Sequence, residues 1–184
     1  CNGFGGNAEL VRHHIPEIAG GLYHGHAGNT GDALSWGEAL DAGTGHLSAY
    51  QGHGSLAHPH GILISWALMT RGAIQVNAQG ERFSDESGGY SEQAIHVLRQ
   101  PDGIAWNIYD GRIHEFARDF PDYREAMAAG AIRQAGDVGE LARIAHLSGA
   151  NLARTLGRVE AFRKGEQRDV FGRDFTAFPP LVPP

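Results

Sequence analysis

Cysteine is nearly absent: position 1 holds the only one in 184 residues. That excludes an internal disulfide and a cysteine-based zinc site. Long apolar runs are missing too. The longest, Gly61 to Met69, falls far short of the roughly 18–20 residues a membrane span needs. No basic run relieves the formal net charge of −6, which argues against a nucleic-acid or anionic-membrane surface. No basic segment precedes an apolar one near the start, so no secretory leader is read there. A soluble, reducing, cytoplasmic setting is the default expectation. Finally, no G-x-G-x-x-G follows a strand and opens a helix; Phe4-Gly5-Gly6 does not fit. A complete dinucleotide-binding fold is not expected within these residues.

Two residue types are abundant. Glycine occurs 27 times, about twice its usual share of roughly 7%. Histidine occurs 11 times, against 15 Lys plus Arg. His24 and His26 flank Gly25, and His58 and His60 flank Pro59. On a strand such a pair points both rings to one face, a metal edge. No acidic third ligand sits at a familiar spacing, so no metal is assigned.

The stretch from Tyr50 to Tyr90 organises the chain. Apolar segments, Gly61-Ile62-Leu63-Ile64-Ser65 and Gly72-Ala73-Ile74-Gln75-Val76-Asn77, alternate with glycine turns such as Ala78-Gln79-Gly80. Strands are expected there, with polar groups at their ends. Upstream, Asn7 is expected to cap a helix over 8–14 that Pro16 stops, and Thr30 to cap a second through Leu40, with Gly43 ending it. Downstream, Ser91 is expected to cap a helix to Arg99, and Ile104–Tyr109 to form a strand. Short helices follow at 111–118 and 123–129, then one from Asp137 or Gly139 through Ile144. Ser148 opens the longest, over 150–164, with Leu152, Leu156, Val159 and Phe162 at spacings of three and four. Strands before helices imply an α+β fold: a small mixed or antiparallel sheet with several packed helices.

Both ends look cut. Cys1-Asn2-Gly3-Phe4 starts in a glycine-rich turn, and Pro179-Pro180-Leu181-Val182-Pro183-Pro184 is extended. The expectation is a single domain, 1–184, excised from a larger protein, with junctions at 1–7 and 179–184.

The segment Gly72 to Glu86 carries G-x-x-x-V-N-x-x-G-x-R-F-x-D-E. It resembles the capping, or substrate, domain of the FAD-dependent flavoprotein superfamily of fumarate reductases, succinate dehydrogenases and ketosteroid dehydrogenases. The resemblance extends along nearly the whole chain. The stretch from Cys1 to Asn7 resembles the motif that closes the FAD domain, Asn29-Thr30-Gly31-Asp32 a turn near the flavin, and Pro183-Pro184 the re-entry into that domain. It implies FAD as cofactor, held mainly by a domain outside this chain, with Gly3, Thr30, Gly31 and Asp32 as its contacts here. The implied partners are that FAD-binding domain and a small carbonyl-containing substrate.

The departures are as informative. In gapless register, His53 falls on the substrate histidine of the family's fumarate reductases. Ser65 and Trp66 fall on their threonine–glutamate pair, and Gly88 or Gly89 on their proton-donating arginine. The acid relay and dicarboxylate clamp are missing. In ketosteroid dehydrogenases a tyrosine follows the same motif; here that is Tyr90, implied as a base beside a ketone. Tyrosine ionises near pH 10, so this role asks for local depression or a second polar partner.

His53 and Tyr90 are thus the catalytic candidates, with His53, Ser65 and Trp66 binding substrate. Asp85 and Glu86 read as turn-holding or domain-contacting carboxylates. The expected function is the substrate cap of an FAD-dependent oxidoreductase acting on a carbon–carbon bond next to a carbonyl, inactive alone. A non-catalytic ligand- or partner-binding module and a histidine-rich metal domain are the alternatives.

Overall fold

The computed structural model describes residues 3–183; Cys1, Asn2 and Pro184, with the parts of the junction readings that fall on them, lie outside the described residues. The chain divides into two compact units, 1–52 and 53–184.

The first unit is helix and loop. Asn7 caps α1 (Ala8–His14), its Oδ1 accepting from the amides of Glu9 and Leu10 at 3.1 and 3.2 Å. Its Nδ2 donates to the Thr30 carbonyl at 3.1 Å, tying the two loops of this unit together. Pro16 ends α1 as expected and opens a 3-10 turn, Pro16–Ile18. The second helix, α2 (Asp32–Ala39), corrects the expected cap. Gly31, not Thr30, is the N-cap, at φ +87° with no side-chain cap bond. A Cβ there would lie 2.5 Å from Leu10 Cδ1 and 3.0 Å from Phe4 Cβ, so both backbone angle and space call for glycine.

The second unit is α+β. Its strands are β1 (Leu56–Ala57), β2 (Ile62–Leu63), β3 (Ile74–Val76) and β4 (Trp106–Ile108). They form two separate two-stranded antiparallel ladders, with Leu56 opposite Leu63 and Gln75 opposite Asn107. No parallel pair occurs among the described residues, so the sheet is not mixed. The apolar run after β2 leaves the strand state: Trp66–Arg71 is a 3-10 helix capped by Ser65 Oγ, which accepts from the Ala67 amide at 3.3 Å. The expected strand at 104–109 shortens to β4. His58 and His60 lie in the β1–β2 turn, not on a strand, which removes the geometry that would have aligned their rings.

Between β3 and β4 lies α3 (Tyr90–Leu98), and after β4 come α4 (Gly111–Ala117), α5 (Pro121–Ala128), α6 (Val138–Ala145) and α7 (Gly149–Arg163). Asp137 and Ser148 cap α6 and α7 as their positions imply. Ser91 does not cap α3. Gly89 does so at φ +113°, and the helix begins at Tyr90.

Two apolar clusters hold this unit. Ile64, Leu68, Met69 and Ala73 pack on Ile113, Ala117, Tyr123 and Ala126. Ile74, Val76 and Ile108 pack on Leu152, Val159, Phe162 and Phe175. Side chains on a strand alternate between faces, so Ile74 and Val76 share the second cluster while Gln75, between them, faces away from it. The turn after β3 docks on α7: Thr155 Oγ1 donates to the Gly80 carbonyl at 2.8 Å and Asn151 Nδ2 to the Gln79 carbonyl at 3.0 Å.

Candidate functional site

Three predicted site residues of the second unit converge. The rings of His53 and Tyr90 stack with centroids 5.3 Å apart and a 26° interplanar angle, and Trp66 meets His53 edge-on at 6.1 Å and 89°. Such aromatic contacts contribute about 0.5–1.5 kcal/mol each beyond area burial. His53 and Trp66 are half-buried, and Tyr90 is 38% exposed. The backbone fixes the pair as well, because the Gly54 N–H donates to the Tyr90 carbonyl at 2.8 Å. Glycine is required at 54: a Cβ would lie 2.8 Å from Gln93 Cβ and 3.0 Å from the Gln93 carbonyl carbon.

The Ser55 amide donates to His53 Nδ1 at 3.2 Å. An acceptor nitrogen carries no proton, so the neutral imidazole bears its hydrogen on Nε2. His53 is thereby set as a hydrogen-bond donor through Nε2, the form that steadies negative charge on a carbonyl oxygen. Ser65 Oγ accepts the Ala67 amide at the cap of the 3-10 helix that carries Trp66.

Beneath the trio lies a buried amide network that sequence reasoning missed. Gln75 Nε2 donates to the Gly54 carbonyl and to Asn107 Oδ1, both at 2.8 Å. Gln93 Nε2 donates to Gln75 Oε1 at 2.8 Å and to Ser84 Oγ at 2.6 Å. Asn107 Nδ2 closes on Ser55 Oγ at 2.7 Å. The only signal was a glutamine interrupting the apolar run Ala73–Val76.

The two carboxylates of the motif hold structure. Asp85 Oδ1 accepts from the Ser87 amide at 2.7 Å and caps the 3-10 turn Glu86–Gly88. Glu86 is buried and pairs with Arg82 at 2.6 Å and Arg173 at 3.0 Å, and its Oε1 also takes the Gln75 amide at 3.0 Å. Asp169 pairs with Arg82 at 2.9 Å. Burial pulls Arg82 down, but its bonds to Glu86 and Asp169 outweigh this and hold it above the ordinary arginine range. For Arg173 burial prevails over Glu86 and holds it below that range. Arg173 also donates to the Ala73 and Met69 carbonyls at 2.8 and 2.7 Å. Its Nε has no hydrogen-bond partner among the described residues; the Phe175 and Phe178 rings lie 4.6 and 5.3 Å from the guanidinium carbon. Arg71 stacks over Phe116 at 4.3 Å.

In the first unit, Thr30 Oγ1 donates to Asp32 Oδ1 at 3.0 Å across the Gly31 bend, and both side chains are exposed. A hydroxyl and a carboxylate suit the hydroxyl and ring N–H groups of a flavin. They do not suit its diphosphate, whose charge Asp32 would repel. Gly3 is exposed, and a Cβ there would meet nothing within 4 Å. Among the described residues, no group of three or more His, Cys, Asp or Glu is placed to hold a metal ion.

The family model described as an FAD binding domain matches residues 1–177. A probable fumarate reductase of Shewanella frigidimarina is 25% identical over 171 residues, covering 93% of this chain and 29% of that protein. The NADH:fumarate oxidoreductase of Klebsiella pneumoniae is 26% identical over 171 residues, covering 93% and 18%. The chain thus spans under a third of the curated relatives it matches. Among solved structures, the open conformation of a flavocytochrome c3 fumarate reductase superposes with a TM-score of 0.75 at 24% identity, covering 98% of this chain and 31% of that one. The 3-ketosteroid-Δ4-(5α)-dehydrogenase of Rhodococcus jostii, in complex with 4-androstene-3,17-dione, superposes with a TM-score of 0.66 at 19% identity, covering 98% and 36%.

Proposed function

From the premise that this chain belongs to the FAD-binding-domain family of flavoproteins, we propose that it is the substrate-capping domain of an FAD-dependent oxidoreductase. The reaction is oxidation or reduction of a carbon–carbon bond next to a carbonyl. The observation that carries this reading is the convergence of His53, Trp66 and Tyr90 with the histidine proton set on Nε2. The flavin supplies hydride exchange when bound. His53 donates its Nε2 hydrogen bond to the substrate carbonyl oxygen and stabilises the negative charge that gathers there. Tyr90 exchanges the proton at the carbon beside that carbonyl. Trp66 offers a broad apolar wall and helps exclude water.

The cofactor's main grip lies in a separate FAD-binding domain of a longer parent protein, because these residues carry no glycine-rich phosphate turn. Thr30, Gly31 and Asp32, with Gly3, are its contacts on this chain. The 184 residues alone are inactive.

The substrate is bulkier and less charged than a dicarboxylate. Two carboxylates demand paired cations when desolvated. Here Arg82 and Arg173 are committed to Glu86, and Arg71 lies over Phe116. His53→Ala in the full-length flavoprotein is expected to slow turnover by about 2.7–4 kcal/mol of barrier, the usual effect of losing one such donor, with thermal stability little changed. Steady-state rates within twofold of the parent, together with early melting, would make His53 structural instead.

A further inference from the structure

A glutamine in the middle of a buried strand is an expensive choice. Gln75 is 2% exposed and Gln93 1%, and burying an amide costs free energy unless every polar atom is paired. Here each is paired, and the bonds run toward the site. Both Gln75 Nε2 hydrogens are used, one on the Gly54 carbonyl, immediately after His53. Gln93 holds Gln75 from α3, the helix that Tyr90 begins, and packs against the Gly54 backbone where no Cβ fits. The Gly54 amide in turn reaches the Tyr90 carbonyl. The segment carrying His53 is therefore clamped on both its carbonyl and its amide side, and the clamp joins it to the first residue of α3.

We infer that Gln75 and Gln93 are positioning residues, a buried amide clamp that holds His53 and Tyr90 in stacking register. The geometric part stands on the hydrogen bonds alone; its effect on turnover rests on the proposed role of His53. A leucine or valine at 75 would suit β3 by strand propensity, but neither has a side-chain N–H to hold Gly54. The pair then acts on rate through the ring geometry, without touching substrate.

The test uses Gln75→Met, near-isosteric and without hydrogen bonds, in the full-length flavoprotein, with Thr155→Val as a control that removes a buried hydrogen bond of α7. Hydrogen–deuterium exchange is read on peptides spanning residues 52–56 and 86–92, and turnover in the parent and His53→Ala backgrounds. In Gln75→Met the 52–56 segment is expected to exchange about tenfold faster or more, as the loss of a linked hydrogen bond implies. kcat is expected to fall, KM to change less, and the fall to vanish once His53 is alanine. Thr155→Val is expected to leave the segment protected. Unchanged protection in Gln75→Met overturns the inference. Lost protection with unchanged kcat upholds the clamp and instead removes His53 from the reaction. If Gln75→Met does not fold, the unmodified protein decides. A Gly54 amide that exchanges as slowly as that of Gln75 supports the clamp, and one that exchanges at loop rates overturns it.

Discussion

Glu86 reads in the sequence as a carboxylate that holds a turn or meets a neighbouring domain, and its structural role lies inside the second unit. In the folded chain it pairs with two buried guanidinium groups, Asp169 supplying the second negative charge, and takes the β3 amide at Gln75. Glu86→Gln keeps the shape and removes the charge. It is expected to destabilise the protein by about 3–5 kcal/mol, because uncompensated charge stays buried. Chemical denaturation checks this, and a loss below about 1 kcal/mol would place the pair in the range of solvent-exposed bridges. His53 is the contrasting case. Its register on the family's substrate histidine marks it in the sequence, and the fold places it against Tyr90 and Trp66. What the sequence could not reveal is its tautomer, which depends on a local bend that brings the Ser55 amide onto Nδ1.

At the scale of elements, glycine decides where helices begin. Asn7 and Ser148 were legible as caps because an ordinary extended residue with a short polar side chain suffices there. Thr30 and Ser91 are not the caps because Gly31 and Gly89, within two residues of them, take positive φ and turn the chain into the helix. The apolar run Gly61 to Met69 has a content that fits strand or helix at that length. The Ser65 cap and the packing of Leu68 and Met69 make its part after β2 helical. The buried glutamines were illegible for another reason: their partners, at positions 54, 84, 93 and 107, are distant in sequence and show no pattern. Gly54→Ala follows from the same geometry. The added Cβ falls 3.0 Å from Gln93 backbone, so overpacking of about 1–3 kcal/mol is expected. A melting temperature equal to the parent's would show that α3 yields there freely.

At the scale of the whole molecule, two apolar clusters carry the second unit, and one of them contains an ionisable pair. The Tyr109 and Tyr123 hydroxyls are 2.8 Å apart, and Tyr123 also meets His114 Nδ1 at 2.8 Å. Burial raises both tyrosines above the ordinary range, with Tyr123 adding to the effect on Tyr109. The unfolded chain releases these protons near pH 10, while the folded chain retains them. The stability they contribute is complete below that pH and is lost as pH climbs through the raised folded values. Ultraviolet titration is therefore expected to leave two of the five tyrosines un-ionised until the protein unfolds, and Tyr109→Phe to soften the alkaline loss. Full, reversible ionisation of all five near pH 10 would contradict the buried placement. Among the described residues no helix is long and apolar enough to cross a membrane.

The substrate reading is the claim on which the account turns, and it has a direct measurement. The full-length flavoprotein is given a reduced dye with fumarate and, separately, an oxidising dye with a panel of cyclic ketones, steroids included. With Trp66 against His53 and Arg82 and Arg173 committed to Glu86, dye reduction with a ketone and little or no turnover of fumarate is predicted. Brisk fumarate reduction with no response to any ketone would contradict it.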